Sequence, residues 1–136
     1  MIKINIDAKI CSGCKTCEAV CSLWHEGMVN PLFARLNIVK HEEIGEDIPV
    51  LCLQCVDAPC AEVCPQEAIE FNKKTGAWIV NEAECIGCGL CVDACNFGMI
   101  RMNPQKNTVF KCDYCGGDPQ CVKHCQLKAL TTEIIE

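Results

Sequence analysis

The chain has 136 residues, 16 of them Cys, with 12 basic and 18 acidic side chains and a formal net charge of −6. Cysteine at this density passes the roughly 8–10% that marks a chain governed by cysteine chemistry; because the 50% hydrophobic fraction includes every cysteine, apolar burial alone is a thin support for the fold. No apolar run reaches the roughly 18 residues of a membrane span, and the acidic balance argues against nucleic acid as a partner.

The N-terminal Met1-Ile2-Lys3-Ile4-Asn5-Ile6-Asp7 has no basic region leading into an apolar stretch and no twin arginine. A cytoplasmic chain without direct membrane insertion is expected, where disulfides are disfavoured. The same heptapeptide alternates, so Ile2–Ile6 reads as a strand. Arg35–Lys40 reads as a second and Ile48–Leu51 as a third. Asp57 is placed as the cap of a short helix, with Pro59 near its first turn, running toward Cys64. Ala68–Phe71 and Ala77–Val80 flank Asn72-Lys73-Lys74-Thr75-Gly76, a hairpin signal. Gly89–Cys95 reads as a short helix. Met99–Met102 and Thr108–Lys111 flank a second hairpin turn at 103–107. Pro119 starts a helix toward Cys125, and Ala129–Ile134 is a last strand able to pair with the first. The fold class read from this is α+β, a repeat of strand, cysteine loop, short helix and turn.

All sixteen cysteines fall into four quartets: Cys11-x2-Cys14-x2-Cys17-x3-Cys21, Cys52-x2-Cys55-x4-Cys60-x3-Cys64, Cys85-x2-Cys88-x2-Cys91-x3-Cys95, and Cys112-x2-Cys115-x5-Cys121-x3-Cys125. The first and third match the C-x2-C-x2-C-x3-C run of bacterial ferredoxins, and Pro65 follows the second as that run's trailing Pro does. A 4Fe–4S cubane takes four thiolates, one per iron. Three cysteines at steps of three curl around one cube, while the fourth lies about one helical turn on and points elsewhere; in two-cluster ferredoxins it completes the other cluster. Gly13, Gly87, Gly89 and Gly116-Gly117 are expected to let backbone approach inorganic sulfide closely. Disulfides need an oxidising compartment, and zinc sites pair two CxxC or CxxH units across a longer loop; four quartets in agreement favour iron and sulfide over both. Residues 52–98, with the second and third quartets around one hairpin, read as an inner ferredoxin-like unit. Residues 1–51 plus 99–136 then form an outer unit from the first and fourth quartets, provided the termini meet.

The quartets, together with 48–55, Asp57-Ala58-Pro59-Cys60, Cys64-Pro65, 85–91 and Lys111-Cys112-Asp113-Tyr114-Cys115, resemble the four-cluster ferredoxin-type electron-transfer subunits of anaerobic oxidoreductases. That family includes iron–sulfur subunits of dimethyl sulfoxide reductase-type enzymes and formate dehydrogenases, and ferredoxin-like partners of carbon monoxide dehydrogenase, hydrogenases and tungsten aldehyde oxidoreductases. The resemblance implies four 4Fe–4S clusters held crosswise. Cys52, Cys55, Cys60 and Cys95 would hold one, and Cys85, Cys88, Cys91 and Cys64 its neighbour. Cys11, Cys14, Cys17 and Cys125 would hold a third, and Cys112, Cys115, Cys121 and Cys21 the fourth. Pro is absent after the last cysteine of the other quartets, where Ser22, Asn96 and Gln126 stand; a different exit turn and solvent access are expected there. His25-Glu26-Gly27, Asn30-Pro31 and Arg35 are similar to members that serve tungsten aldehyde oxidoreductases. The implied role is therefore an electron-transfer subunit with no substrate chemistry of its own. Its implied partner is a larger tungsten or molybdenum enzyme, with a flavin-containing subunit or a ferredoxin at the other end. Rival readings are a free polyferredoxin, a self-associating wire scaffold and a zinc-stabilised interaction module.

An oxidised cubane with its thiolates carries about −2, so four add about −8 to the chain's own charge. That density disfavours each added electron and lowers potentials; backbone N–H groups on sulfur and nearby Lys15 or Lys111 act the other way. His124 reads as a surface or packing residue rather than a ligand or proton relay, and His25 and His41 have no motif around them. Trp24 and Trp78 read as core or cluster-shielding residues. Glu42-Glu43 with Glu46-Asp47 reads as a solvated acidic loop.

Overall fold

The computed structural model describes residues 1–135. Alternation at the N-terminus produces β1 (Ile2–Ile6), which pairs antiparallel with the last strand, β8 (Leu130–Ile134), in the register Ile4 opposite Thr132. The termini therefore meet. Between them the chain forms α1 (Thr16–Glu26), the hairpin β2 (Leu36–His41) and β3 (Glu46–Leu51), α2 (Pro59–Glu62), the hairpin β4 (Ile69–Asn72) and β5 (Ala77–Val80), α3 (Leu90–Ala94), the hairpin β6 (Arg101–Met102) and β7 (Val109–Phe110), and α4 (Gln120–Lys123). The architecture is α+β: four two-stranded ribbons and short helices, with no larger sheet among the described residues. No helix among them is long and apolar enough to cross a membrane.

The core is divided. Ile4, Leu36, Ile38, Leu51, Tyr114 and Leu130 pack with Cys17, Cys21 and Cys121; Ile69, Ile100 and Val109 pack separately with Cys91. Cysteine is thus part of both apolar clusters. The 52–98 segment is not insulated from the rest, since Ala77 joins the first cluster and the Ile2 N–H donates to the Thr75 carbonyl at 3.0 Å.

Several expectations are corrected. The longest helix, α1, was not anticipated; it places Cys17, Glu18, Cys21 and Ser22 on its buried face. The Glu18 carboxylate, 5% exposed, accepts from Asn37 Nδ2 at 3.2 Å and from the Ile38 N–H at 3.4 Å, fixing β2 to α1. Asp57 does not cap α2. Ala58 occupies that position at φ 25 with no side-chain cap, so Pro59 at the helix start is the local determinant. Trp24 is 57% exposed and shields nothing, because it lies on the outer face of α1. The acidic segment is only partly a loop: Glu46 and Asp47 lie in β3, and a Cβ at Gly13 would meet Asp47 Oδ2 at 2.6 Å.

At Asn96 and Gln126 the missing Pro has no effect on the exit turn. After Cys64, Cys95 and Cys125 the chain makes the same i→i+3 turn, with Glu67, Gly98 and Lys128 N–H groups donating back to the three cysteine carbonyls. Those three residues all carry positive φ, at 51°, 65° and 62°. Only after Cys21 does the path differ: the helix continues, and Ser22 Oγ donates to the Ala19 carbonyl and accepts the Asn30 N–H.

At Gly87 the absent side chain makes room for another segment of the chain. A Cβ there would collide with the Asn107 carbonyl oxygen and meet its Oδ1 at 2.7 Å, whereas one at Gly89 would meet nothing within 4 Å. Both have positive φ. Gly89→Ala should cost only the left-handed penalty, about 1–2 kcal/mol. Gly87→Ala adds overpacking against backbone and should cost about 1–3 kcal/mol more. Thermal unfolding of the two variants side by side checks this; equal losses would contradict the close approach of Asn107.

Candidate metal centres

Each cysteine loop turns with the same hand. Two residues after the leading cysteine stand Gly13, Gln54, Gly87 and Tyr114, all at positive φ (73°, 51°, 73° and 58°). Left-handed residues inside a tight loop turn successive N–H groups toward one concave side, a geometry suited to anionic sulfur. Thus two non-glycine residues accept the strained conformation that glycine takes in the first and third quartets.

The sixteen cysteines line four separate hollows. The Cys52 hollow has Cys52, Cys55, Cys60 and Cys95 on its wall, with Trp78 and Lys111. The Cys85 hollow has Cys64, Cys85, Cys88 and Cys91. The Cys11 hollow has Cys11, Cys14, Cys17 and Cys125, with Lys15 and His124. The Cys112 hollow has Cys21, Cys112, Cys115 and Cys121, with His25 and Arg35. In every hollow three cysteines come from one quartet and the fourth from another. The exchange follows from the helices: α1 carries Cys17 and Cys21 one turn apart toward different hollows, and α1 packs against α4, which holds Cys121 and precedes Cys125.

The hollows adjoin in a row. α2, which holds Cys60, packs against α3, which holds Cys91, joining the Cys85 and Cys52 hollows. Gln54 Nε2 donates to the Cys112 carbonyl at 2.8 Å, joining the Cys52 and Cys112 hollows. The α1–α4 pair joins the Cys112 and Cys11 hollows. The two exposed cysteines, Cys88 and Cys14, belong to the two end hollows; the middle hollows contain none.

The donor set suits an anionic iron–sulfur group. Backbone N–H groups point at sulfur: Arg35 to Cys21 at 3.2 Å, Gln54 to Cys52 at 3.4 Å, Ala68 to Cys64 at 3.3 Å and Met99 to Cys95 at 3.5 Å. Burial pushes the thiols of Cys17 and Cys112 up to about 12 and those of Cys91 and Cys115 to about 11, and raises Cys21, Cys60 and Cys121 as well. Such thiols become thiolates when a metal replaces their protons. Cys95 goes the other way. Burial opposes its thiolate, but the N–H groups of Met99, Phe97, Ile100 and Gly98 together outweigh it. At exposed Cys14, hydrogen bonds from Thr16 lower the thiol.

Three side chains without a sequence motif stand beside sulfur. His25 Nε2 lies 3.5 Å from Cys115 Sγ and 3.7 Å from Asp113 Oδ1. Burial and Arg35, against the pull of Asp113, bring His25 down to about 4. Gln54 and Lys111 lie between the Cys52 and Cys112 hollows. The signal available for His25 was its spacing, four residues after Cys21 on one helix face. Trp78 does shield: its indole N–H donates to the Cys55 carbonyl at 2.8 Å and it lines the Cys52 hollow. His124 is exposed, with Nδ1 3.0 Å from the Gln120 carbonyl, which fits a surface role. His41 pairs with Glu43 at the surface.

Residues 45–134 match the family model of the 4Fe-4S dicluster domain. The chain belongs to that family. It carries 4Fe–4S clusters and is an iron–sulfur electron-transfer protein. It is 45% identical over 124 residues to the aliphatic sulfonate oxidoreductase, polyferredoxin-like subunit, of Pyrococcus furiosus, a match that covers 91% of this chain and 71% of that one. Formate hydrogenlyase subunit 2 of Escherichia coli is 35% identical over 161 residues, covering 91% of this chain and 77% of the relative. Among solved structures, a chain of the active site complex BamBC of benzoyl coenzyme A reductase superposes with a TM-score of 0.59 at 26% identity, over 98% of this chain and 79% of that one. The fold is therefore shared with a chain of that active site complex.

Proposed function

We propose that the chain is the iron–sulfur subunit of a larger redox enzyme, relaying single electrons between the catalytic subunit and a second carrier. The observation that supports this best is the row of four cysteine hollows with an exposed cysteine at each end. In this reading each hollow holds one 4Fe–4S cluster through its four cysteines. A bound cubane supplies one-electron redox chemistry. The chain's own part is to fix four such sites in line, to keep exposed cysteine out of the middle two, and to present the end two where partners can dock. Trp78 and the N–H groups on sulfur limit water at the inner sites and set local polarity.

The subunit reading has a second support on the surface. Leu23, Trp24, Val29 and Leu32 are exposed along one short segment, a grouping of apolar side chains that a solitary carrier has no use for. The partner proposed is a tungsten-dependent aldehyde oxidoreductase. The residues similar to that subgroup have internal work here: Gly27 ends α1, Asn30 caps the turn at Pro31–Phe33, and the Arg35 guanidinium donates to the Lys111 carbonyl at 2.9 Å.

Anaerobic affinity capture at native expression level tests the reading. The expected result is about sixteen irons per chain, with matching acid-labile sulfide, and a co-purifying larger subunit containing tungsten. Elution of the chain alone with full iron would reject the subunit role. A partner with molybdenum or nickel would reject the tungsten enzyme.

A further inference from the structure

Lys111 is only 3% exposed. Its Nζ donates to Trp78 O at 2.6 Å, Cys112 O at 2.8 Å and Gln54 Oε1 at 3.0 Å. All three acceptors are neutral, and among the described residues no carboxylate pairs with it. A buried cation without a counter-charge is costly, by several kcal/mol even after local relaxation. The three hydrogen bonds use all three ammonium donors but leave the charge itself unbalanced. The charge therefore needs a reason other than the hydrogen bonds.

Its position supplies one. Lys111 lines the Cys52 hollow and directly precedes Cys112 in the next. Its charge favours the thiolate of Cys60 on one side and of Cys112 on the other. Gln54 completes the seam: its Oε1 also accepts the Trp78 N–H at 2.9 Å, and its Nε2 donates to the Cys112 carbonyl.

We propose that Lys111 is a fixed positive charge shared by the two middle clusters, held by Gln54, Trp78 and Cys112, and that it raises the reduction potentials of both above those of the end clusters. The inference rests on the reading of the four hollows as cluster sites. Each anionic cluster acts as half of the missing counter-charge. An added electron makes its cluster more negative, so it is stabilised most beside this cation. Electrons then reside in the middle of the row: transfer inward from either end is downhill, and transfer outward to either end is uphill.

The test compares Lys111→Gln and Lys111→Arg in the full chain, purified anaerobically, with iron and sulfide counts and EPR-monitored redox titration. Wild-type protein without iron would refute the cluster reading and is scored separately. With full iron retained, the Gln variant should lower two of the four midpoint potentials by about 59 mV or more, a tenfold loss in reduction equilibrium for a one-electron couple. The other two should stay, and the Arg variant should keep all four near wild type. Loss of the middle clusters in the Gln variant but not in the Arg variant would also support the charge. Four unshifted potentials in an iron-replete Gln variant would overturn the proposal. So would equal iron loss in both variants, which would assign Lys111 a role of shape alone.

Discussion

Iron removal by chelation under anaerobic, reducing conditions is expected to unfold the whole chain rather than leave an empty scaffold. Nothing in the polypeptide can hold the fold without the clusters. Every sheet is a single two-stranded ribbon, and an isolated pair of strands is marginal in water. The longest helix has 11 residues and the others four or five, below the roughly 12–15 at which isolated helices begin to persist. The buried apolar set includes Cys17, Cys21, Cys91 and Cys121 and five alanines, so large aliphatic side chains are few and are split between two clusters. Structural metal sites in small domains contribute on the order of 10 kcal/mol each, more than this core supplies. Far-UV circular dichroism during chelation checks the expectation. A metal-free protein that keeps a sharp thermal transition would contradict it. Acid should speed the loss. With burial holding Cys17 and Cys112 near 12 when no metal is bound, protons compete directly with iron, and their advantage grows as pH falls.

The same dependence on metal explains what could be read in the sequence. Quartet spacing is a local rule, and strand pairing across short turns is local too, so the two hairpins at 69–80 and 101–110 were legible from residues close together. The pairing of β1 with β8 was legible because two alternating segments stand at the two ends of the chain. α1 was missed because Cys17 and Cys21 were taken only as ligands; read as i and i+4 on a helix, they mark the face that Glu18 and Ser22 share. The significance given to Pro65 was misplaced, because the turn after Cys64 is set by a residue three positions on with positive φ, and Glu67, Gly98 and Lys128 all adopt it. Gln54 carries no spacing signal, the position of Lys111 beside Cys112 does not show which carbonyls it reaches, and the i+4 spacing of His25 from Cys21 does not show which sulfur it meets. Their roles come from a meeting of segments: Lys111 reaches the Trp78 carbonyl and His25 reaches Cys115. Such contacts follow from tertiary closure and are invisible to periodicity.

The crosswise assignment makes the second large prediction. Cys21 is 10 residues beyond Cys11 in sequence, yet it lines the hollow of Cys112, Cys115 and Cys121. Cys21→Ala should therefore remove about four irons from that distant site and leave the cluster of Cys11, Cys14 and Cys17. Its EPR spectrum and surviving potentials should match those of Cys112→Ala, not those of Cys11→Ala. Cys125→Ala should do the reverse and match Cys11→Ala. The loss also has a mechanical consequence. Cys21 is on α1 and Cys121 on α4, so the site in the Cys112 hollow ties the first third of the chain to the last; without it, α1 and the β2–β3 hairpin keep only one of two cluster links to the C-terminal segment, the one through Cys17 and Cys125 in the Cys11 hollow. Limited proteolysis of Cys21→Ala should cut first between 22 and 35, at a rate at least tenfold above wild type, corresponding to about 1.4 kcal/mol or more of lost local stability. Should Cys21→Ala instead match Cys11→Ala, each quartet would serve its own cluster, and the α1–α4 contact would have to arise from packing alone.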